Sequence, residues 1–310
     1  GNEVAEPDWY AGTPWMLWDY DNTERSYSLM AGTRFNPTEK LHILAGTRYT
    51  DLTTKSVVDY HYTSGTVDND PDSVTRRKHH HFIPYFGITY DITPHHSIYA
   101  SYTSIFKPNS YKDRHERYLP PVFGNNYEIG WKKNHGGHTW KAALFHIDIK
   151  DNITASVERG KTEYKYVNED FRNTGIELSD EIRGTHGLSY HWGVTWQNPQ
   201  TNNTDRPGGW YRTFGKVQLT GGVTYQKDKW TSSLTATYLA SRVVLPSREK
   251  PSAVKPYLLT TWNTTYAPDE NSEISLCIDN VLDRDDTTMH SGARYHNAPI
   301  NYLLSYSYKF

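Results

Sequence analysis

Several stretches carry residues whose types and spacing could do chemistry. "RRKHHHF", Arg76 to Phe82, sets three histidines side by side. Neighbouring side chains on a strand point to opposite faces, so only His79 and His81 could share a metal ion, and no carboxylate stands ready to join them. "DNDPDS" opens like a calcium loop through Asp68, Asp70 and Asp72. Its sixth position is Ser73 where glycine is needed, and its twelfth is His79 where a bidentate glutamate is needed, so it reads as a solvated loop tip. "NHGGH" reads as a tight turn, because no strand–loop–helix surrounds its glycines. No spacing suggests a Ser-His-Asp set or paired catalytic carboxylates, and the sequence gives no ground for an enzyme.

Binding chemistry is better represented. "DWYAGTPWMLWDY" gathers Trp9, Tyr10, Trp15, Trp18 and Tyr20. "TDRPGGWYRTF" adds Arg206, Trp210, Tyr211 and Arg212, and "SGARYHN" adds Arg294 and Tyr295. Aromatic surfaces beside guanidinium groups suit a bulky, partly apolar, anionic ligand. Some of these rings could equally belong to an aromatic belt facing lipid.

The elements that must hold these segments show period-two alternation nearly throughout. "SYSLMAGTRF" puts Tyr27, Leu29, Ala31, Thr33 and Phe35 on one face, and "LHILAGTRYT" answers with Leu41, Ile43, Ala45, Thr47 and Tyr49. Further hairpins pair "FIPYFGITYDI" with "SIYASYTSIF", "NYEIGWKK" with "TWKAALFHIDIK", and "KVQLTGGVTYQ" with "WTSSLTATYLAS". Short turns fall near residues 36–40, 92–96, 134–137, 184–187, 226–229 and 267–272. Longer polar segments lie between them, near 55–78, 106–124, 150–163, 198–212, 244–255 and 282–297. Short turns at one end and long loops at the other are the mark of an outer-membrane β-barrel, and a soluble sandwich has no reason to sort them so. The count is about thirteen strands, and an odd number points to an incomplete antiparallel barrel.

Composition agrees with strands that need apolar residues only at alternate positions. Hydrophobic residues make up 36% of 310 residues, too few for helical spans, while aromatics reach 14%. The formal net charge of -2 gives no basic field for nucleic acid. One cysteine, Cys277, excludes an internal disulfide and a cysteine-rich metal cluster. "GNEVAEPDWY" has no basic-then-apolar signal pattern, so export would need a signal outside this sequence.

Several phrases together resemble the TonB-dependent outer-membrane receptors, in their ferric-siderophore branch. They are "ERSYSLMAGTRFNPTEKLHILAGTRYTDL", "PYFGITYDITPHHSIYASYTSIFKPNS", "NNYEIGWKK", "AALFHIDIKDNI", "NTGIELSDEI" and "CIDNVLDRD", in the family's order. The closing "NYLLSYSYKF" resembles the family's assembly signal, with Tyr302, Leu304, Tyr306, Tyr308 and Phe310 on one face. It departs from the family at Leu303–Leu304, where a glycine is common. The resemblance implies an all-β antiparallel transmembrane barrel of about 22 strands, of which this chain is a C-terminal part. The family's N-terminal plug, which engages TonB, has no counterpart in these 310 residues.

The implied function is uptake of a ferric siderophore across a Gram-negative outer membrane, with iron as cargo and no resident cofactor. Its ligand-binding residues would be Trp9, Trp15, Trp18, Arg206, Trp210, Tyr211, Arg294 and Tyr295. The implied partners are the siderophore, the TonB complex through the plug, outer-membrane lipid, the barrel-assembly machinery, and lipopolysaccharide phosphates at Arg76, Arg77 and Lys78. Rival readings are a passive porin-like channel, a haem receptor, and a soluble all-β sugar-binding module. The alternation places Leu29, Ile43, Ile98, Leu276 and Tyr306 toward lipid, and His42, Arg48, Asp148 and Asp279 toward the lumen.

Overall fold

The computed structural model describes residues 16–62, 67–68, 75–109, 111–113, 115, 117–157, 164–201, 215–240, 242–244, 252–290 and 293–310. These are almost entirely strand. The long elements are β1 (Met16–Phe35), β2 (Leu41–Tyr62), β4 (Thr75–Thr93), β5 (His96–Lys107), β6 (Val122–His135), β7 (His138–Val157) and β8 (Tyr164–Arg183). They continue as β9 (Leu188–Thr201), β10 (Val217–Lys227), β11 (Trp230–Leu239), β14 (Tyr257–Tyr266), β15 (Ser272–Asp279) and β18 (Asn301–Tyr308). Short pieces are β3 (Val67–Asp68), β12 (Arg242–Val244), β13 (Ser252–Val254), β16 (Thr287–His290) and β17 (Ala293–His296).

The hydrogen-bonded order is β1-β2-β4-β5-β6-β7-β8-β9-β10-β11-β14-β15-β18, with β3 off this path beside β2. That path holds the thirteen strands expected from the alternation. β12 pairs with β13 and β16 with β17 as separate two-stranded ribbons inside the long connections. The chain divides into two compact units, residues 1–32 with 46–84, and residues 33–45 with 85–310. In the smaller unit, Ser28 and Thr50 share a hydrogen bond of 3.1 Å and the Tyr49 and Phe82 rings lie 4.9 Å apart. The remaining description concerns the larger unit except where stated.

The short turns fall where the sequence puts them. Gly136 and Gly137, at φ of 62° and 83°, close β6 onto β7. Two consecutive left-handed residues are what a two-residue hairpin with strand-matched twist demands, and glycine takes them without a Cβ penalty. Asp228–Lys229 turns β10 into β11, and a 3-10 turn at Thr185–Gly187 joins β8 to β9.

Register sorts the side chains into two faces, because residues directly opposite on paired strands point the same way. Ile88, Ala100, Ile129, Leu144, Ile176, Trp196 and Val217 are paired in succession from β4 to β10. Ile129 is 64% and Leu144 51% exposed, so this apolar hoop has no protein against it and needs lipid to cover it. The opposite hoop reads Thr89, Tyr99, Gly130, Ala143, Glu177, Thr195 and Gln218, small and polar. Ile98 lies on the apolar face opposite Trp131, and Leu276 and Tyr306 lie there in register with Thr264 and Ile274. His42 bonds Asp91 at 2.9 Å on the polar face, and Asp279 lies opposite Thr261 there.

Asp148 departs from the expectation. It pairs with Asn125 and Arg172 and shares its face with Leu144, so it points outward, not into the lumen. The reason is strand length. β7 and β8 each run 20 residues, about 66 Å at full rise, whereas about 9–11 residues cross a bilayer. Beyond the lipid band the outer face is wet, and Asp148 there meets Arg172 at 3.3 Å and Lys150 at 3.8 Å. Arg77 is a smaller correction. It alternates away from Arg76 and Lys78, which share the face of Phe82, so the three basic residues do not form one patch.

Candidate ligand-facing loops and lumen wall

At the long-loop end, polar side chains replace secondary structure as the organising force. In the connection after β5, Asp113 caps a small turn. It accepts the His115 amide at 2.8 Å and the Arg117 amide at 3.0 Å on one oxygen, and the Arg117 guanidinium at 2.8 and 3.0 Å on the other. Its desolvation pushes the carboxyl up, but the bonds from Arg117 and His115 outweigh that and hold it at about 2. The Tyr111 ring packs against Tyr166 at 4.5 Å, tying this loop to β8.

The connection after β15 is built around Asn280, which is 1% exposed. Its amide group donates to Arg284 O at 2.9 Å and Ala298 O at 3.0 Å, and its oxygen accepts the Arg284 amide at 3.0 Å. Asn280 holds φ of 50°, a left-handed conformation that asparagine tolerates better than most residues. Arg284 in turn grips Asp286 at 2.9 and 3.0 Å, which raises the guanidinium's pKa, and Asp286 accepts the Leu258 amide at 2.8 Å. This knot sets the root of the β16–β17 ribbon, whose second strand contains Arg294 and Tyr295.

Of the eight candidate ligand residues, Trp9, Trp15, Arg206, Trp210 and Tyr211 lie outside the described residues. Trp18 falls in β1 and Arg294 and Tyr295 in β17, with side chains outside the described set. His79 and His81 share the polar face of β4, and Asp68 sits in β3. Among the described residues no group of three or more His, Cys, Asp or Glu is placed to hold a metal ion.

The lumen wall offers a feature that the sequence reading passed over. Glu128 and Glu177 both lie on the polar face, one pair apart across β6, β7 and β8. The Tyr99 hydroxyl donates to Glu128 at 2.5 Å, and Lys132 Nζ stands 4.6 Å from the Tyr99 ring centroid. Tyr99 reaches this position by lying against Gly130, where an added Cβ would fall 2.4 Å from its ring. Phe145 lies the same way against Gly175, and His191 against Gly222. Each ring is thus folded onto the neighbouring strand instead of projecting into the lumen. A glutamate interrupting an aliphatic strand, as in "YEIGW" and "GIELS", was the available signal.

On the outer face, aromatic residues collect near the short turns. Trp230 and Tyr266 rings lie 4.6 Å apart, His96 and Trp131 5.8 Å, and Tyr308 and Phe310 5.1 Å. Tyr302, Leu304, Tyr306 and Tyr308 form the expected stripe, directly opposite Ile278, Leu276, Ile274 and Ser272. An apolar belt bounded by rings, short turns below and long loops above define a transmembrane β-barrel wall.

Comparison with known proteins makes the class specific. The family model described as "TonB dependent receptor-like, beta-barrel" matches residues 4–281, and the chain belongs to that family of outer-membrane receptor barrels. It is 26% identical to the ferric-pyoverdine 358 receptor of Pseudomonas putida over 100% of this chain and 38% of that one. It is 36% identical to the ferripyoverdine receptor of Pseudomonas aeruginosa over 49% of this chain and 17% of that one. The chain therefore spans well under half the length of these relatives. Among solved structures, the ferripyoverdine receptor of Pseudomonas aeruginosa bound to ferripyoverdine aligns with a TM-score of 0.77 at 23% identity, covering 94% of this chain and 39% of that one. The ferric-catecholate import receptor Fiu from E. coli aligns with a TM-score of 0.75 at 17% identity, covering 94% and 45%. At these identities the structural likeness speaks for the fold.

Proposed function

We propose that this chain is part of the barrel of a receptor that captures a ferric siderophore at its extracellular loops and imports it with energy delivered through TonB. The observation that carries this reading is the similarity to a ferric-pyoverdine receptor across 100% of the chain. Its name points to a pyoverdine-like ligand, with iron as cargo and no bond broken in transit. Trp9, Trp15, Trp18, Arg206, Trp210, Tyr211, Arg294 and Tyr295 supply the aromatic and guanidinium surface that such an anionic chelate needs. In this reading residues 1–310 are a C-terminal part of the barrel, and the plug that TonB pulls lies outside them. Glu128 and Glu177 then face the lumen that the plug would fill. Arg76 and Lys78, on the outer face with Phe82, meet lipopolysaccharide phosphates, and the assembly machinery reads the Tyr302-to-Phe310 stripe.

The test uses intact cells and the receptor isolated from their outer membranes. Saturable binding of iron-labelled ferric pyoverdine to the isolated receptor is expected, together with TonB-dependent iron uptake by cells, and Arg206→Ala with Arg294→Ala should weaken binding. Conductance without saturable ligand binding or TonB dependence would replace this reading with the passive channel.

A further inference from the structure

Asp180 contradicts the face on which it stands. It pairs with Trp140 on β7 and Trp192 on β9, so it shares the outward face with Leu178 and Ile182 of its own strand. It lies three residues from Arg183, where β8 ends at a short turn, about 10 Å from that rim at strand rise. A carboxylate aimed at the lipid side is costly and needs a partner. His138 Nδ1 supplies one to Oδ2 at 2.9 Å. The residue is nevertheless only 1% exposed, and its buried Oδ1 has no hydrogen-bond partner among the described residues.

Four rings share this face around Asp180: Trp140 and Trp192 flank it in register, His138 bonds its Oδ2, and Tyr190 lies opposite Ile182. Trp140 and Trp192 meet across β8 with centroids 6.4 Å apart, edge to face. His138 stacks on Trp140 at 5.4 Å, and Tyr190 meets His138 at 6.3 Å. A buried carboxylate flanked by aromatic rings is the chemistry that recognises an ammonium group. Lys133 lies opposite Trp140 on the same outward face and makes no ion pair with Asp180 among the described residues. It is placed to meet a phosphate two strands away from the carboxylate, with Trp140 of β7 between them. The pattern of aromatic-walled anion beside cation is complementary to a zwitterion carrying both charges.

We propose that Asp180, Trp140 and Trp192, with Lys133 beside them, form a site for the primary ammonium and phosphate of a zwitterionic phospholipid head group in the periplasmic leaflet. The two indoles close over Asp180 and swing apart to admit the ammonium. The site is distinct from the siderophore loops and does not depend on the identity of their ligand.

The experiment is native mass spectrometry of the whole receptor, extracted in detergent and offered phosphatidylethanolamine, phosphatidylcholine or phosphatidylglycerol at equal concentration. Preferential retention of phosphatidylethanolamine over the other two is expected. Asp180→Asn should abolish that preference, a change on the order of tenfold or more, which is the scale of one hydrogen bond to a charged group. Trp192→Leu should lower retention while leaving the carboxylate in place, so that a failure of one variant to fold, read by heat-modifiable migration, leaves the other informative. Phosphoethanolamine without acyl chains should compete only at far higher concentration; equal competition would assign the site to a soluble amine and overturn the lipid proposal. Equal retention of all three lipids, or a preference that survives both substitutions, would overturn it too.

Discussion

The two ends of the strands are held by different chemistry. Where the turns are short, backbone geometry does the work, with Gly136–Gly137 and Asp228–Lys229 closing hairpins whose neighbours are aromatic pairs such as Trp230–Tyr266. Where the connections are long, polar side chains do it: buried Asn280 and part-exposed Asp113 each bind three or more atoms of their own loop. The first kind of order is local and insensitive to loop sequence. The second hangs on single side chains, and leaves the rest of each loop free to vary around a fixed root.

The contrast presupposes a lipid belt between the two ends, and that premise is the largest effect to test. Leu144→Arg, on the outer hoop, should cost roughly 2–4 kcal/mol at a mid-membrane position. Thr195→Arg, on the inner hoop, should cost much less. Urea unfolding in vesicles measures both, and equal costs would remove the assignment of faces.

The long-loop end comes next. Asn280→Ala loses three hydrogen bonds in a buried site and leaves Ala at φ of 50°, so roughly 1–3 kcal/mol of local stability should go. Asn280→Gly keeps the backbone conformation cheap and isolates the hydrogen-bond part. Amide exchange should quicken across residues 280–300 with little change in the strands, and affinity for the proposed ferric siderophore should fall with it. Uniform loss of protection over the sheet would mean that this loop is no separate unit.

Much of this was legible in the sequence, for definite reasons. Alternation over Tyr302 to Phe310 and the sorting of turn lengths gave strand number and faces, because both follow from the two-residue period of a strand. Asp148 was misplaced because alternation alone cannot say where the bilayer ends, and polarity reverses its meaning beyond that level. Glu128 and Glu177 were passed over because a polar lumen position looks ordinary until cross-strand register sets two carboxylates on one face of adjoining hairpins. Asn280 was hidden for another reason: a buried asparagine in a loop has the same letter as an exposed one. The eight ligand candidates sit in long connections, where no periodicity reports direction.

The short-turn end should respond in assembly, not in binding. Deleting Phe310 removes the ring that packs on Tyr308 at 5.1 Å, at the short-turn end and away from the long loops. Less heat-modifiable receptor in outer-membrane fractions is expected, with unchanged affinity per folded molecule. Normal assembly with weakened binding would make the stripe a ligand surface and erase the contrast between the ends.

The smallest effect is a pH dependence confined to one loop. Asp113 is held at about 2, below its ordinary 3.8, by bonds that only the folded turn provides. A depressed carboxyl stabilises the folded turn fully above the unfolded value, and that contribution is lost as pH falls through the folded one. The turn should therefore be intact at pH 5 and open progressively from about pH 4 down to about 2. The His115 and Arg117 amides report this directly, since both donate to Asp113 Oδ1. Their exchange, corrected for the intrinsic rate, should accelerate over that window while the β5 and β6 amides hold. Asp113→Asn removes the titration and should give pH-independent exchange, with Oδ1 still accepting both amides but the grip of Oδ2 on Arg117 lost. A midpoint near 3.8 in the wild type would show that the bonds from Arg117 do not bias the carboxyl. This loop would then lack the side-chain anchor that distinguishes its end of the molecule from the other.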